Sequence, residues 1–185
     1  MIVFDCEIIK CIPNGATFSD YEYCEGWRDF ENMGISVIGF YDGEIYYHDL
    51  SPFNHFKRMT ISPTIVGFNS KQFDDNLCQA NGINIMTTYD LLEEIGRAAF
   101  GSPNWEDTPK GFSYSLGAIA IANGFTKTGT GSGAARLWQD GKHQEVINYC
   151  VNDVKLTVEL LKLGLRGKLI DPNTDGLLTL RDYRN

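Results

Sequence analysis

Ile2-Val3-Phe4-Asp5-Cys6-Glu7-Ile8-Ile9 is an apolar, β-branched run broken by two carboxylates two positions apart. Side chains alternate along a strand, so a strand here puts Asp5 and Glu7 on one face and Cys6 on the other. Two like charges on one face of a buried strand repel each other and lose hydration. A cation between them relieves both costs. The stretch therefore predicts a core strand whose acids hold a divalent metal, with further ligands supplied from elsewhere in the chain.

Outward from it, residues 35–41 read as a second strand, Asp42-Gly43 as a hairpin turn and residues 44–49 as a third strand. Residues 64–68 form a short buried-type strand, and a helix is expected over residues 72–80, stopped by Asn81-Gly82. Residues 83–87 read as a fifth strand leading into a helix over residues 90–99. Further helices are expected from Ser51-Pro52 to Met59, over residues 115–123 and, the clearest, over residues 142–163, whose apolar stripe includes Ile147, Cys150, Val154, Val158 and Leu161. Residues 10–32 read as a loop with a helical turn near 19–28, and residues 101–114 as another loop. Gly129-Thr130-Gly131-Ser132-Gly133 reads as a flexible segment, and residues 168–185 as a tail or small hairpin. Antiparallel strands first, then strand–helix alternation, predict one α/β domain over residues 1–185, with helices on the faces of a mixed sheet.

Composition bounds the function. The chain has 185 residues, 43% of them hydrophobic, enough for one good-sized core. No apolar run approaches the roughly 20 residues that span a bilayer. With a core strand starting at residue 2 there is no room for a signal peptide, so a cytoplasmic protein with no membrane partner is expected. The five cysteines show no CxxC spacing and no paired histidines, which argues against structural zinc or a disulfide framework; Cys6 and Cys150 read as core packing. The net charge of −8 argues against holding nucleic acid by phosphate neutralisation alone, and suits a site where metal ions supply the positive charge.

Three further places carry acids. In Val66-Gly67-Phe68-Asn69-Ser70-Lys71-Gln72-Phe73-Asp74-Asp75, a strand ends and a helix begins, which is where open α/β sheets gather functional groups. Asp74 and Asp75 also suit the helix dipole, a sufficient reason in itself. Tyr149 and Asp153 lie four apart and share a helix face; an aspartate in mid-helix is costly unless exposed or paired. Asp90 reads as a helix cap.

In this order, Asp5-x-Glu7, Asn69-x3-Phe73-Asp74 and Tyr149-x3-Asp153 resemble the three motifs of the DnaQ-like (DEDD) 3′–5′ exonucleases of the ribonuclease H-like superfamily. The second motif is most similar to that of the proofreading domain of family B DNA polymerases. Tyr149, with Asn148 where the sister subclass carries His, is similar to the tyrosine subclass. Ser115-Leu116-Gly117-Ala118-Ile119-Ala120, Gly124, Lys127 and Leu137-Trp138 resemble the segment before the third motif in stand-alone relatives, so the resemblance covers residues 2–163.

The resemblance implies a ribonuclease H-like fold, a mixed five-stranded sheet flanked by helices. It implies hydrolysis of single-stranded DNA from its 3′ end to nucleoside 5′-monophosphates, with short RNA as the alternative substrate. Two divalent ions, Mg2+ or Mn2+, suit hard oxygen ligands. Asp5 would bridge both ions, Glu7 and Asp153 would complete one site, and Asp74 would hold the other. Tyr149, a poor base with an ordinary pKa near 10, would orient the attacking water. Asp75 would point away from the ions. For the substrate, Ile8 would wedge near the terminal base, and Asn69 and Phe73 would position the strand, although Phe73 reads equally as core packing. Lys127, Arg136 and Lys142 flank the glycine-rich segment and face phosphates on this reading, while a solvated charge is the simpler reading of each taken alone. The segment itself would be a mobile flap. Proofreading would need a replication or repair partner in trans. The competing class is a catalytically silent nucleic-acid- or protein-binding module, which would be free to lose the four acids and the tyrosine that this chain retains.

Overall fold

Strand β1 (Ile2–Ile8) lies in the middle of the sheet because its neighbours on both sides are apolar enough to bury it. The computed structural model describes residues 1–13, 15, 17–129 and 131–184. Strand β2 (Ile35–Tyr41) pairs antiparallel with β1, and β3 (Tyr46–Asp49) pairs antiparallel with β2 across the Asp42-Gly43 turn. On the other side, β4 (Ile65–Gly67) and β5 (Tyr89–Asp90) run parallel to β1. The order β3-β2-β1-β4-β5 makes a mixed sheet, as the strand pattern predicts, with the five strands that the resemblance implies.

The alternation of β1 divides the core. Ile2, Phe4, Cys6 and Ile8 face one layer, where they pack with Phe56, Leu77, Cys78 and Ile83. That layer holds α1 (Phe30–Met33), α2 (Asn54–Met59) and α3 (Asp74–Ala80). Val3 faces the opposite layer with Leu91, Ile119, Val154 and Val158. There lie α4 (Leu91–Phe100), α5 (Leu116–Ala122), α6 (Gly131–Gln139) and the 23-residue α7 (His143–Leu165). Asp90 caps α4 by accepting the Leu92 N–H, and Ser115 caps α5 by accepting that of Ala118. A small antiparallel hairpin, β6 (Leu169–Ile170) and β7 (Leu177–Leu178), closes the tail. No helix among the described residues is long and apolar enough to cross a membrane.

Three expectations are corrected. Residues 83–87 are not a strand: Ile83 and Ile85 are buried, but the fifth strand is displaced to Tyr89–Asp90, where Thr88 first meets Ile65 through both its N–H and its hydroxyl. Apolar alternation there reflects packing without a ladder. No helical turn forms near residues 19–28; that stretch bends back to bridge Cys11 with Tyr23, and the helix comes later as α1. The glycine-rich segment becomes helical from Gly131, with Thr130 outside the described residues. Burial of Ala134 and Ala135 outweighs the poor helix propensity of glycine.

Candidate active site

Asp5 and Glu7 point toward α7. Across the β1–β2 ladder Asp5 faces Gly39 and Glu7 faces Val37. A side-chain carbon on Gly39 would lie 3.0 Å from Cys150 Sγ and 3.2 Å from the Cys150 carbonyl carbon. Glycine thus lets α7 rest directly on the sheet. The Gly39 N–H donates to Cys150 Sγ at 3.1 Å, and the thiol reaches the Asp5 carbonyl at 3.4 Å. Cys150 is the fastening point, and Tyr149 and Asp153 on the same helix are carried to the acids of β1.

Asp74 arrives from the opposite layer. Parallel pairing of β1 with β4 covers Ile2↔Ile65 and Val3↔Val66. Beyond it the Cys6 N–H turns to Asp74 and donates to Oδ1 at 3.1 Å. Asp75 does not join the cluster: its carboxylate accepts the Thr87 N–H and hydroxyl, each at 2.8 Å. Asp90 does more than cap α4. Its carboxylate also accepts the N–H groups of Asn69 at 2.9 Å and Lys71 at 3.2 Å, which pins the turn where Asn69 takes a left-handed φ of 61°. That second role was not legible in the sequence, because it depends on β5 lying beside the end of β4.

The cluster is crowded with unrelieved charge. Burial, then Asp74 and Asp153, drive the Asp5 carboxyl well above the usual range. Burial, then Asp5, Asp153 and Asp74, do the same to Glu7. Burial pushes Asp74 up to about 7. Burial also raises Asp153, against the opposing pull of Lys127. Burial and the charges of Glu7, Asp153 and Asp5 push the Tyr149 phenol upward, so it stays a hydrogen-bond donor at neutral pH. Asp5 Oδ2 and Asp153 Oδ1 are buried with no hydrogen-bond partner among the described residues. Asp5, Glu7 and Cys150 offer ligand atoms within 4.8 Å of one another. Hard, buried, mutually repelling oxygens with two orphaned atoms are a donor set that fits divalent cations. Cys150 was not foreseen as a neighbour of the carboxylates, since its place follows from the α7–β2 approach at Gly39.

The other expected residues fall in different places. Lys127 is not a solvated charge: its side chain is 19% exposed, its ammonium pairs with Asp153 Oδ2, and it lies 4.7 Å over the Tyr149 ring. Ile8 is 6% exposed and belongs to the core, which leaves it little surface for a terminal base. Phe73 is half-buried, with edge contacts to Trp27 and Phe30. Asn69 lines a cleft of about 210 Å³ with Gln72, Asp90 and Trp105. Arg136 is spread over the rings of Phe18 and Tyr21, and Lys142 is exposed at the start of α7. Gly129 passes close to Tyr149, where a side-chain carbon would come within 3.2 Å of its ring.

Neither a protein-family model nor a curated protein matches the chain. Among solved structures, it is similar to the family B DNA polymerase from the hyperthermophilic archaeon Pyrobaculum calidifontis, with a TM-score of 0.58 and 14% identity. The match covers 94% of this chain and 26% of that one, so the chain spans about a quarter of the polymerase's length. The likeness is one of fold: a mixed sheet flanked by helices, of the ribonuclease H-like kind.

Proposed function

We propose that the chain is a metal-dependent 3′–5′ exonuclease that removes nucleoside 5′-monophosphates from single-stranded DNA. The observation that carries this reading is that carboxylates from three distant parts of the chain lie close enough for Asp74 of α3 and Asp153 of α7 to raise the carboxyls of Asp5 and Glu7 on β1. The similarity in fold to a structure of a family B DNA polymerase supports it.

Asp5, Glu7, Asp74 and Asp153 would hold the ions, Mg2+ or Mn2+. Bound there, these would supply an activated water and offset charge on the phosphate and on the leaving 3′ oxygen. The chain's own groups do the rest. Tyr149, kept protonated, donates a hydrogen bond that orients the attacking water. Lys127, set between Tyr149 and Asp153, brings a positive charge to the phosphate side of the cluster. Asn69, fixed by Asp90, and Phe73, beside Asp74, border the path of the strand.

The test is a 5′-labelled single strand incubated with Mg2+ or Mn2+, with matched RNA alongside. A ladder of single-nucleotide steps is expected, abolished by EDTA, by Asp5→Ala and by Asp153→Ala. Absence of cleavage with either metal favours the silent binding module, and cuts in circular DNA favour an endonuclease.

A further inference from the structure

Trp27 is 64% exposed and lies outside every motif discussed above. It sits at the tip of a tight turn. The Asp29 N–H donates to the Gly26 carbonyl at 3.1 Å, and the Asp29 carboxylate accepts the Glu25 N–H and the Asn32 amide, both at 2.7 Å. Those bonds hold Trp27 and Arg28 as the two outermost residues of a closed turn.

The indole leans on Phe73, with centroids 6.2 Å apart and planes at 68°. Phe73 meets Phe30 in the same manner at 5.6 Å and 70°. Phe73 also packs against the apolar layer under the sheet and directly precedes Asp74. Three aromatic rings thus run from the edge of the core to solvent, and the middle one, Phe73, directly precedes Asp74 in the chain. The tilted contact supports the indole without covering it.

Charge gives this ring a task. The protein carries a net −8, and the ammonium nearest the acids, that of Lys127, is engaged by Asp153. Phosphate neutralisation is therefore a weak handle on a strand here. Stacking needs no countercharge, and every base presents a π-face.

We propose that Trp27 is a stacking platform for a base of the single strand whose 3′ end enters the carboxylate cluster, seated on Phe73 and Phe30. The proposal rests on the exonuclease reading for the direction of the strand, and on the aromatic row for its place.

The test uses the whole chain and a short fluorescent oligothymidine in EDTA, so that binding is read without cleavage. A second strand carries abasic sites near its 3′ end. Trp27→Ala is expected to weaken oligothymidine binding about 5- to 150-fold, and Trp27→Phe far less. On the abasic strand, wild type and Trp27→Ala are expected to bind alike. With Mg2+ present, Trp27→Ala raises KM and leaves kcat close to wild type. Circular dichroism checks that the variants fold. Equal binding of oligothymidine by wild type and Trp27→Ala overturns the proposal, as does an equal loss on the abasic strand. Cleavage that ignores Trp27 leaves the exonuclease reading standing alone. Base-dependent binding at Trp27 without cleavage by any metal leaves the platform standing and removes the exonuclease.

Discussion

Gly39 lies directly opposite Asp5 in the β1–β2 ladder, and the space its missing side chain leaves is filled by Cys150. The carboxylate on one strand thus depends on an absence on the next. Gly39→Ala would push against the Cys150 thiol and backbone and lift α7 by a few tenths of an ångström. Overpacking of this kind costs about 1–3 kcal/mol. Thermal unfolding should show the loss, and cleavage should fall further than stability does, because Tyr149 and Asp153 ride on the displaced helix.

The metal-free cluster should make the protein sensitive to alkali. Asp74, Asp5 and Glu7 bind protons more tightly folded than unfolded, since their carboxyls are raised. Stability from such protons is present below the ordinary carboxylate range and is lost as pH rises through about 7 for Asp74 and through the raised carboxyls of Asp5 and Glu7. In EDTA, Tm should fall between pH 5 and pH 8. Mg2+ or Mn2+ at about 100 times its Kd should return about 2.7 kcal/mol at pH 8. A Tm independent of both pH and metal would count against the cluster as a cation site.

Glu7→Gln keeps the shape and removes one of the crowded charges. In EDTA at pH 8 this variant should melt above wild type, while its response to metal shrinks. Cleavage should drop by about a hundredfold or more, in line with the several kcal/mol of charge stabilisation a bound ion provides. Raised stability with lost activity is the signature of a strained functional site.

Lys127→Met tests the ammonium against Asp153. On the metal-site reading Lys127 and an ion would compete for Asp153, so removing the lysine should tighten Mn2+ binding, measured by calorimetry. Metal-free stability should fall, because Asp153 is 4% exposed and loses its cation. Unchanged Mn2+ affinity would show that the lysine stands clear of the ion.

Arg181→Ala, at a residue that does not touch the cluster carboxylates, provides a control. Arg181 donates to the buried Glu94 of α4 at 2.7 Å through Nε, with a second bond through Nη2, and its carbonyl accepts the Tyr89 hydroxyl at 2.7 Å. Its loss should cost about 1–2 kcal/mol, since Arg97 still reaches Glu94 at 3.3 Å. Metal affinity should not change.

Asp5 and Glu7 on one strand face, the helix before Asn81-Gly82 and the long final helix were legible because each shows in local periodicity. The same holds for the cap at Asp90. What escaped depends on register or on contacts between distant segments. Gly39 gains its meaning only when paired with Asp5. Lys127 becomes an ion pair only once the path of the chain from α5 to α6 is known. Gly131 and Gly133 enter a helix against their own preference because Ala134 and Ala135 are buried. Trp27, in a stretch without periodicity, carried no signal until Phe73 was seen beneath it.

The fastening of Cys150 to the Asp5 carbonyl joins residues 145 positions apart. Contacts of that span form late, since the loop they close is long. A nascent chain can lay down β1 with both its acids and still lack Tyr149 and Asp153 until α7 has been synthesised and has docked. Partly made or partly unfolded molecules therefore carry the pieces of the carboxylate cluster without its assembly. If the chain is the nuclease proposed above, its own order delays that hazard until folding is nearly complete.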